Sequence, residues 1–188
     1  MPNEERALVL DYLAKGKPNS YKSEPVAQVL GEQFFTLLEV VPKKELKVME
    51  SIYVGKDERA EIDYIKRRIN SDELTSTAAA ELEKAIEKIV EENTARFLEF
   101  YNTAGPITLR RHQLELLPGF GKKHMQDIIR ERQKKPFESF EDLNKRVKLL
   151  PDTFKAIVKR IEFELREPNL NHYLFVRPPV KERAFGRR

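Results

Sequence analysis

Cysteine is absent from the 188 residues, which excludes disulfides and thiolate metal sites. Only three histidines occur, His112, His124 and His172, and they lack metal-ligand spacing with one another. No apolar run reaches the length of a membrane span, and the N-terminal residues contain no secretory apolar core. Gly-x-Ser-x-Gly, the Walker phosphate loop and His-Glu-x-x-His are missing as well. These absences point to a cytoplasmic protein with no membrane role, no cofactor and no stand-alone enzymatic chemistry. The acidic group Asp57, Glu58, Glu61 and Asp63 comes nearest to a Mg²⁺ site. Lys56 and Arg59 are interleaved with it, and mixed signs read as a solvated turn.

Charge is plentiful but unevenly placed. Charged residues make up 35% of the chain and the formal net charge is +4. Residues 1–104 hold 15 Lys+Arg against 20 Asp+Glu, a net −5, and residues 105–188 hold 20 against 11, a net +9. A basic half of this kind is the electrostatic footprint of a polyanion binder.

The basic half also carries the most informative stretch, Leu116-Leu117-Pro118-Gly119-Phe120-Gly121-Lys122-Lys123. Leu114 and Leu117 lie three apart, which predicts a helix over 108–117. Pro118 ends it, and the two glycines permit a tight turn. Phe120 can bury its ring as an anchor. Met125, Ile128 and Ile129 then open a second apolar stripe on a helix beginning near Lys122. The first amides of a helix lack intrahelical partners and carry partial positive charge, so they suit an anion. Lys122 and Lys123 add formal charge at the same place.

Elsewhere the chain reads as a small sheet followed by helices. Residues 1–23 are polar apart from Leu8, Val9, Leu10, Tyr12 and Leu13, with a loop over 15–22. Residues 25–41 predict a β-hairpin around Gly31-Glu32, and 50–54 and 64–69 predict two more strands. Several short strands suggest a compact barrel of OB or SH3 type. Residues 75–104 predict one amphipathic helix, capped by Thr75, stopped by Gly105-Pro106 and about 45 Å long at the standard rise. Ser139 caps a further helix, with Asp142 placed to bond back. Leu150-Pro151 repeats Leu117-Pro118 after 33 residues, with Asp152 and Phe154 in place of the glycines. This second turn reads as a degenerate hairpin that serves packing. The tail, 177–188, is basic and rich in proline.

Gly119-Phe120-Gly121 with its flanking stripes resembles the helix-hairpin-helix family, whose usual small residue four positions on is Met125 here. The resemblance implies sugar-phosphate binding by hairpin amides without base preference. It also implies a K⁺ or Na⁺ ion on the carbonyls of Leu117, Gly119 and Phe120. Over residues 5–178 the chain resembles an archaeal family of unknown function, regarded as nucleic-acid-binding, with an OB-like barrel and tandem helix-hairpin-helix. The expected architecture is therefore α+β. An OB-like barrel occupies 1–74, a long connecting helix 75–104, a tandem helix-hairpin-helix domain 105–176 and a basic tail 177–188. The expected function is nucleic-acid binding, DNA ahead of RNA, through Gly119, Phe120, Gly121, Lys122 and Lys123, aided by Arg110, Arg111 and Arg130. The alternatives are an RNA-binding factor that reads bases on barrel aromatics such as Phe35 or Tyr53, and a protein adaptor docking through the long helix.

Overall fold

An unbroken apolar run, Ala7-Leu8-Val9-Leu10, sets the first element. It lies in strand β1 (Arg6–Leu13), and all four side chains are buried. A strand covered on both faces loses the polar–apolar alternation of a half-exposed one. The opening segment, expected to be polar apart from Leu8, Val9, Leu10, Tyr12 and Leu13, thus contains a strand. The computed structural model describes residues 4–17, 23–167 and 169–178.

β1 pairs antiparallel with β2 (Val26–Gly31) and with β4 (Ser51–Tyr53). β2 pairs with β3 (Leu37–Pro42), and β3 with β5 (Ile62–Arg68). The result is a curled five-stranded antiparallel half-barrel in the order β4-β1-β2-β3-β5. Ala7, Val9, Ala27, Val29, Val40, Ile52 and Ile62 form its core. The expected hairpin is present, but β3 starts at Leu37, later than the sequence suggested. The Glu4 carboxylate accepts the amides of Gln33, Phe34 and Thr36, which folds 32–36 into a loop with Phe35 at φ 53°.

A buried polar network closes the sheet on the segment that follows it. The Gln28 amide donates to Glu39 at 3.3 Å and to the Glu73 carbonyl at 3.0 Å, and accepts the Thr75 amide at 2.8 Å. Glu39 is also paired with Lys17 and, at 2.9 Å, with Arg67. Burial alone would raise the Glu39 carboxyl. The hydrogen bonds from Lys17 and Gln28 and the charges of Lys17 and Arg67 hold it below the ordinary range.

The remaining elements are helices α1 (Ser76–Glu92), α2 (Thr94–Thr103), α3 (Lys122–Lys134), α4 (Phe140–Arg146) and α5 (Thr153–Arg166), with a short ribbon of β6 (Pro106–Thr108) and β7 (Arg111–His112). Thr75 caps α1 as expected, its hydroxyl accepting the Ala78 amide at 3.0 Å. The single long helix does not form. Asn93 departs to φ −126°, ψ 36°, and its side chain donates to the Ile89 carbonyl at 2.8 Å. A short amide side chain that bonds its own backbone competes with the helical ladder. Two helices of about 26 and 15 Å therefore replace one rod. Ser139 caps α4 by accepting the Asp142 amide at 3.0 Å, and Asp142 in turn accepts the Glu138 amide at 3.2 Å.

The chain divides into two units, Met1–Ala79 with Glu164–Arg188, and Ala80–Phe163. The dividing points fall inside α1 and α5. Residues 164–178 group with the sheet, for a local reason. The buried Glu164 carboxylate accepts the amides of Leu174 (2.6 Å), Phe175 (3.0 Å) and Val176 (2.9 Å). Arg68 donates to the carbonyl of Arg177 at 2.6 Å, and the Arg177 amide donates to that of Phe34 at 3.0 Å. Residues 179–188 of the basic tail lie outside the described residues.

Candidate functional site

The expected helix over 108–117 is absent. The segment forms the β6–β7 ribbon and a single 3-10 turn, Gln113–Leu116. Apolar residues three apart suit a 3-10 turn as well as an α-helix. His112 starts the turn. It is buried, its Nδ1 accepts the Leu114 amide at 3.2 Å, and its own amide donates to Glu115 at 2.8 Å. Burial and the nearby Arg132 charge push its imidazole below the ordinary value. It is a structural cap and does not reach outward toward a phosphate.

The turn after Leu117 has the shape the glycines require. Gly119 sits at φ +80°, and a Cβ there would meet Pro151 Cγ at 3.1 Å. Gly121 is extended, at φ −114°, and a Cβ there would find open space. The turn is anchored from below. Phe120 is buried, its ring 6.1 Å from Tyr101 and 5.8 Å edge-on from His124. The Tyr101 hydroxyl donates to the Thr153 carbonyl at 2.7 Å, and Arg160 donates to the Leu116 carbonyl at 3.2 Å. The turn's outer surface is open: Gly119, Gly121, Lys122 and Lys123 are all exposed. Among the described residues, no ion pair or side-chain hydrogen bond engages the ammonium groups of Lys122 and Lys123.

Not every amide of the turn faces outward unpaired. The Phe120 amide donates to the Leu117 carbonyl at 3.1 Å, and the Gly121 amide donates to His124 Nδ1 at 3.2 Å. The carbonyl expected to hold a cation at Leu117 is thus engaged within the turn. His124 was not singled out in the sequence. Its position three residues beyond the helix-capping Gly121 is the spacing that would have shown it. Lys122 and Lys123 open α3, so their amides have no carbonyl one turn back.

Arg110 and Arg111 lie exposed at the tip of the β6–β7 ribbon, beside the fully exposed Leu109. Arg130 is exposed on α3 and paired with Asp127. Two other arginines serve the fold. Arg132 donates to the carbonyls of Tyr101 (3.0 Å) and Ala104 (2.7 Å), and Arg146 to those of Glu131 and Lys135 (both 2.6 Å). Asp152 caps α5 by accepting the Lys155 amide at 2.9 Å.

Residues 3–177 match the model of a protein family of unknown function, DUF655. The chain belongs to this family. It is 43% identical over 177 residues to the uncharacterized protein MJ0038 of Methanocaldococcus jannaschii, covering 93% of this chain and 80% of that one. It is also similar to the crystal structure of Af1531 from Archaeoglobus fulgidus, of the same DUF655 family, at 45% identity and a TM-score of 0.84, covering 93% of this chain and all of that one.

Two further features of this DUF655 chain bear on the site. Phe35 is fully buried, which removes it as a platform for stacking bases. Tyr53 is tied down through its hydroxyl, which donates to Asp57 at 3.1 Å and accepts the Asp57 amide at 3.3 Å. Among the described residues, no group of His, Asp and Glu is placed to hold a metal ion, and no helix is long and apolar enough to cross a membrane.

Proposed function

We propose that this protein binds nucleic acid without base preference, duplex DNA ahead of RNA, through the turn Leu117–Gly121 and the first turn of α3. The reading rests on one observation. An outward-facing glycine turn leads directly into a helix start whose two lysines have no partner among the described residues. The turn, together with the helix it feeds, takes the part of the hairpin and second helix of a helix-hairpin-helix element. A 3-10 turn and β-ribbon stand in for the first helix. The amides of Lys122 and Lys123 hold a phosphate oxygen while their ammonium groups neutralise its charge. Gly119 and Phe120 shape the turn. The Gly121 amide joins the phosphate only when His124 releases it. Arg110, Arg111 and Arg130 extend the charged track along the backbone.

A monovalent cation, K⁺ or Na⁺, fits this reading on the carbonyls of Gly119 and Phe120. Leu117 can contribute its second lone pair. The protein acts as a binder and not as a catalyst, in the cytoplasm. Charge placement supports this assignment over a protein adaptor, since residues 105–163 carry 14 Lys+Arg against 8 Asp+Glu. An RNA factor reading bases on the sheet is disfavoured by the burial of Phe35. Competition between equal-length duplex DNA, single-stranded DNA and structured RNA tests the assignment. Duplex DNA is expected to displace the others, and preference for structured RNA would overturn it.

A further inference from the structure

A cavity of about 290 Å³ lies beside the turn, between the start of α3 and the loop that leads from α4 to α5. Its lining includes Lys123, His124, Arg130, Lys148 and Leu149, with Asp127 and Glu131 as its acids. Both acids are committed, Asp127 to Arg130 and Glu131 to Lys134 at 2.6 Å. Arg146 is committed to Asp142 at 3.1 Å, to Glu131 at 3.8 Å and to backbone carbonyls. Two ammonium groups remain, on Lys123 and Lys148, and neither has an ion-pair or hydrogen-bond partner among the described residues. The cavity therefore offers two uncompensated positive charges.

Its lining carries a second anomaly. Leu149 holds a left-handed backbone, φ 62°, while the residue is 85% exposed. That conformation strains any residue with a Cβ, and glycine would adopt it freely. An exposed leucine gains little burial in return. Residues kept under such strain without a packing reason concentrate at binding sites.

From these observations we infer that the cavity receives the terminal phosphomonoester of a nucleic-acid strand. A monoester carries close to two negative charges near neutral pH and a backbone diester only one. Two unpaired ammonium groups therefore match a strand end better than a point along the chain. The Leu149 side chain covers the apolar face of the terminal nucleotide. Lys123 is shared between this cavity and the phosphate cradle, so the backbone and the end are held side by side. This inference rests on the nucleic-acid reading and narrows its ligand to strand ends.

Fluorescence anisotropy with the full chain tests it, using short duplexes of one sequence with 5′-phosphate, 3′-phosphate or hydroxyl ends. A phosphorylated end is expected to bind about tenfold tighter than a hydroxyl end, the order set by one added charge-assisted contact. Leu149→Gly and Lys148→Gln should each reduce that ratio severalfold without lowering the thermal midpoint. Lys122→Gln should weaken all three duplexes and leave the ratio unchanged. Equal affinity for phosphate and hydroxyl ends, with salt-dependent binding intact, overturns the end site and spares the cradle. An unaltered ratio in Leu149→Gly and Lys148→Gln also overturns it. Adenosine 5′-monophosphate competing as strongly as the phosphorylated duplex would assign the cavity to free nucleotides and overturn the strand-end assignment. Absence of binding to any of the duplexes would remove both readings.

Discussion

Neutralising Lys122 and Lys123 together is the most informative single perturbation of the cradle. Both side chains are exposed and lack partners among the described residues, so Lys122→Gln/Lys123→Gln should leave the thermal midpoint unchanged. The effect on binding follows from counterion release, in which log affinity falls by about 0.9 per neutralised phosphate for each tenfold rise in salt. On the proposed reading, Lys122, Lys123, Arg110 and Arg111 would give four contacts, Arg130 being left out of the count because Asp127 already offsets its charge. Wild type should then lose roughly 150-fold in affinity between 50 and 200 mM salt, and the double variant, with two contacts, about 12-fold. Anisotropy titrations of a duplex at four salt concentrations measure both slopes. Parallel lines for the two proteins would show that these lysines touch no phosphate, and the cradle would be refuted.

Other outcomes follow from the same geometry. Gly119→Ala should destabilise the protein by about 1–2 kcal/mol, since φ +80° and the nearby Pro151 both oppose a Cβ. Gly121→Ala should cost under about 0.5 kcal/mol, because its backbone is extended and its surroundings are open. Thermal denaturation of the two variants checks the contrast. Stability should also fall in two stages as pH drops. His112 has its folded imidazole depressed by burial and by Arg132, so its contribution is lost as pH falls below the ordinary value of 6.5. Glu39 is held below the carboxylate range by its hydrogen bonds and the Lys17 and Arg67 charges. Its contribution is present above the ordinary carboxylate value and lost as pH falls from there through the depressed folded value. Urea midpoints at pH 7, 5.5 and 4 record both stages, and His112→Asn, which keeps a capping acceptor, should abolish the first alone.

Where apolar spacing and capping residues agreed, the fold was legible. The β2–β3 hairpin announced itself by Gly31-Glu32 between two apolar runs, and α3, α4 and α5 by their helix-start residues and stripes. β1 was missed because burial on both faces erased its alternation. The break at Asn93 was missed because the apolar phase runs through it, with Ile89, Val90 and Phe97 all buried. The segment before the turn misled for another reason. Leu114 and Leu117 are both buried, as a helix would require, yet their spacing is met by one 3-10 turn resting on the buried cap of His112. The turn and the start of α3 were legible from two glycines followed by two lysines, and Gly119 is needed there by its φ of +80° and the nearness of Pro151. The His124 contact to the Gly121 amide was open to reading from the spacing of the two residues, whereas the strain at Leu149 is a property of backbone geometry that composition does not carry.

Amide chemical shifts during a duplex-DNA titration test the phosphate cradle most directly. The largest changes are expected at the backbone N–H groups of Lys122 and Lys123, with smaller ones at Gly119, Gly121 and the ribbon tip at Arg110 and Arg111. Unmoved resonances from Leu117 to His124, with changes gathered instead on strands β1 to β5, would contradict it.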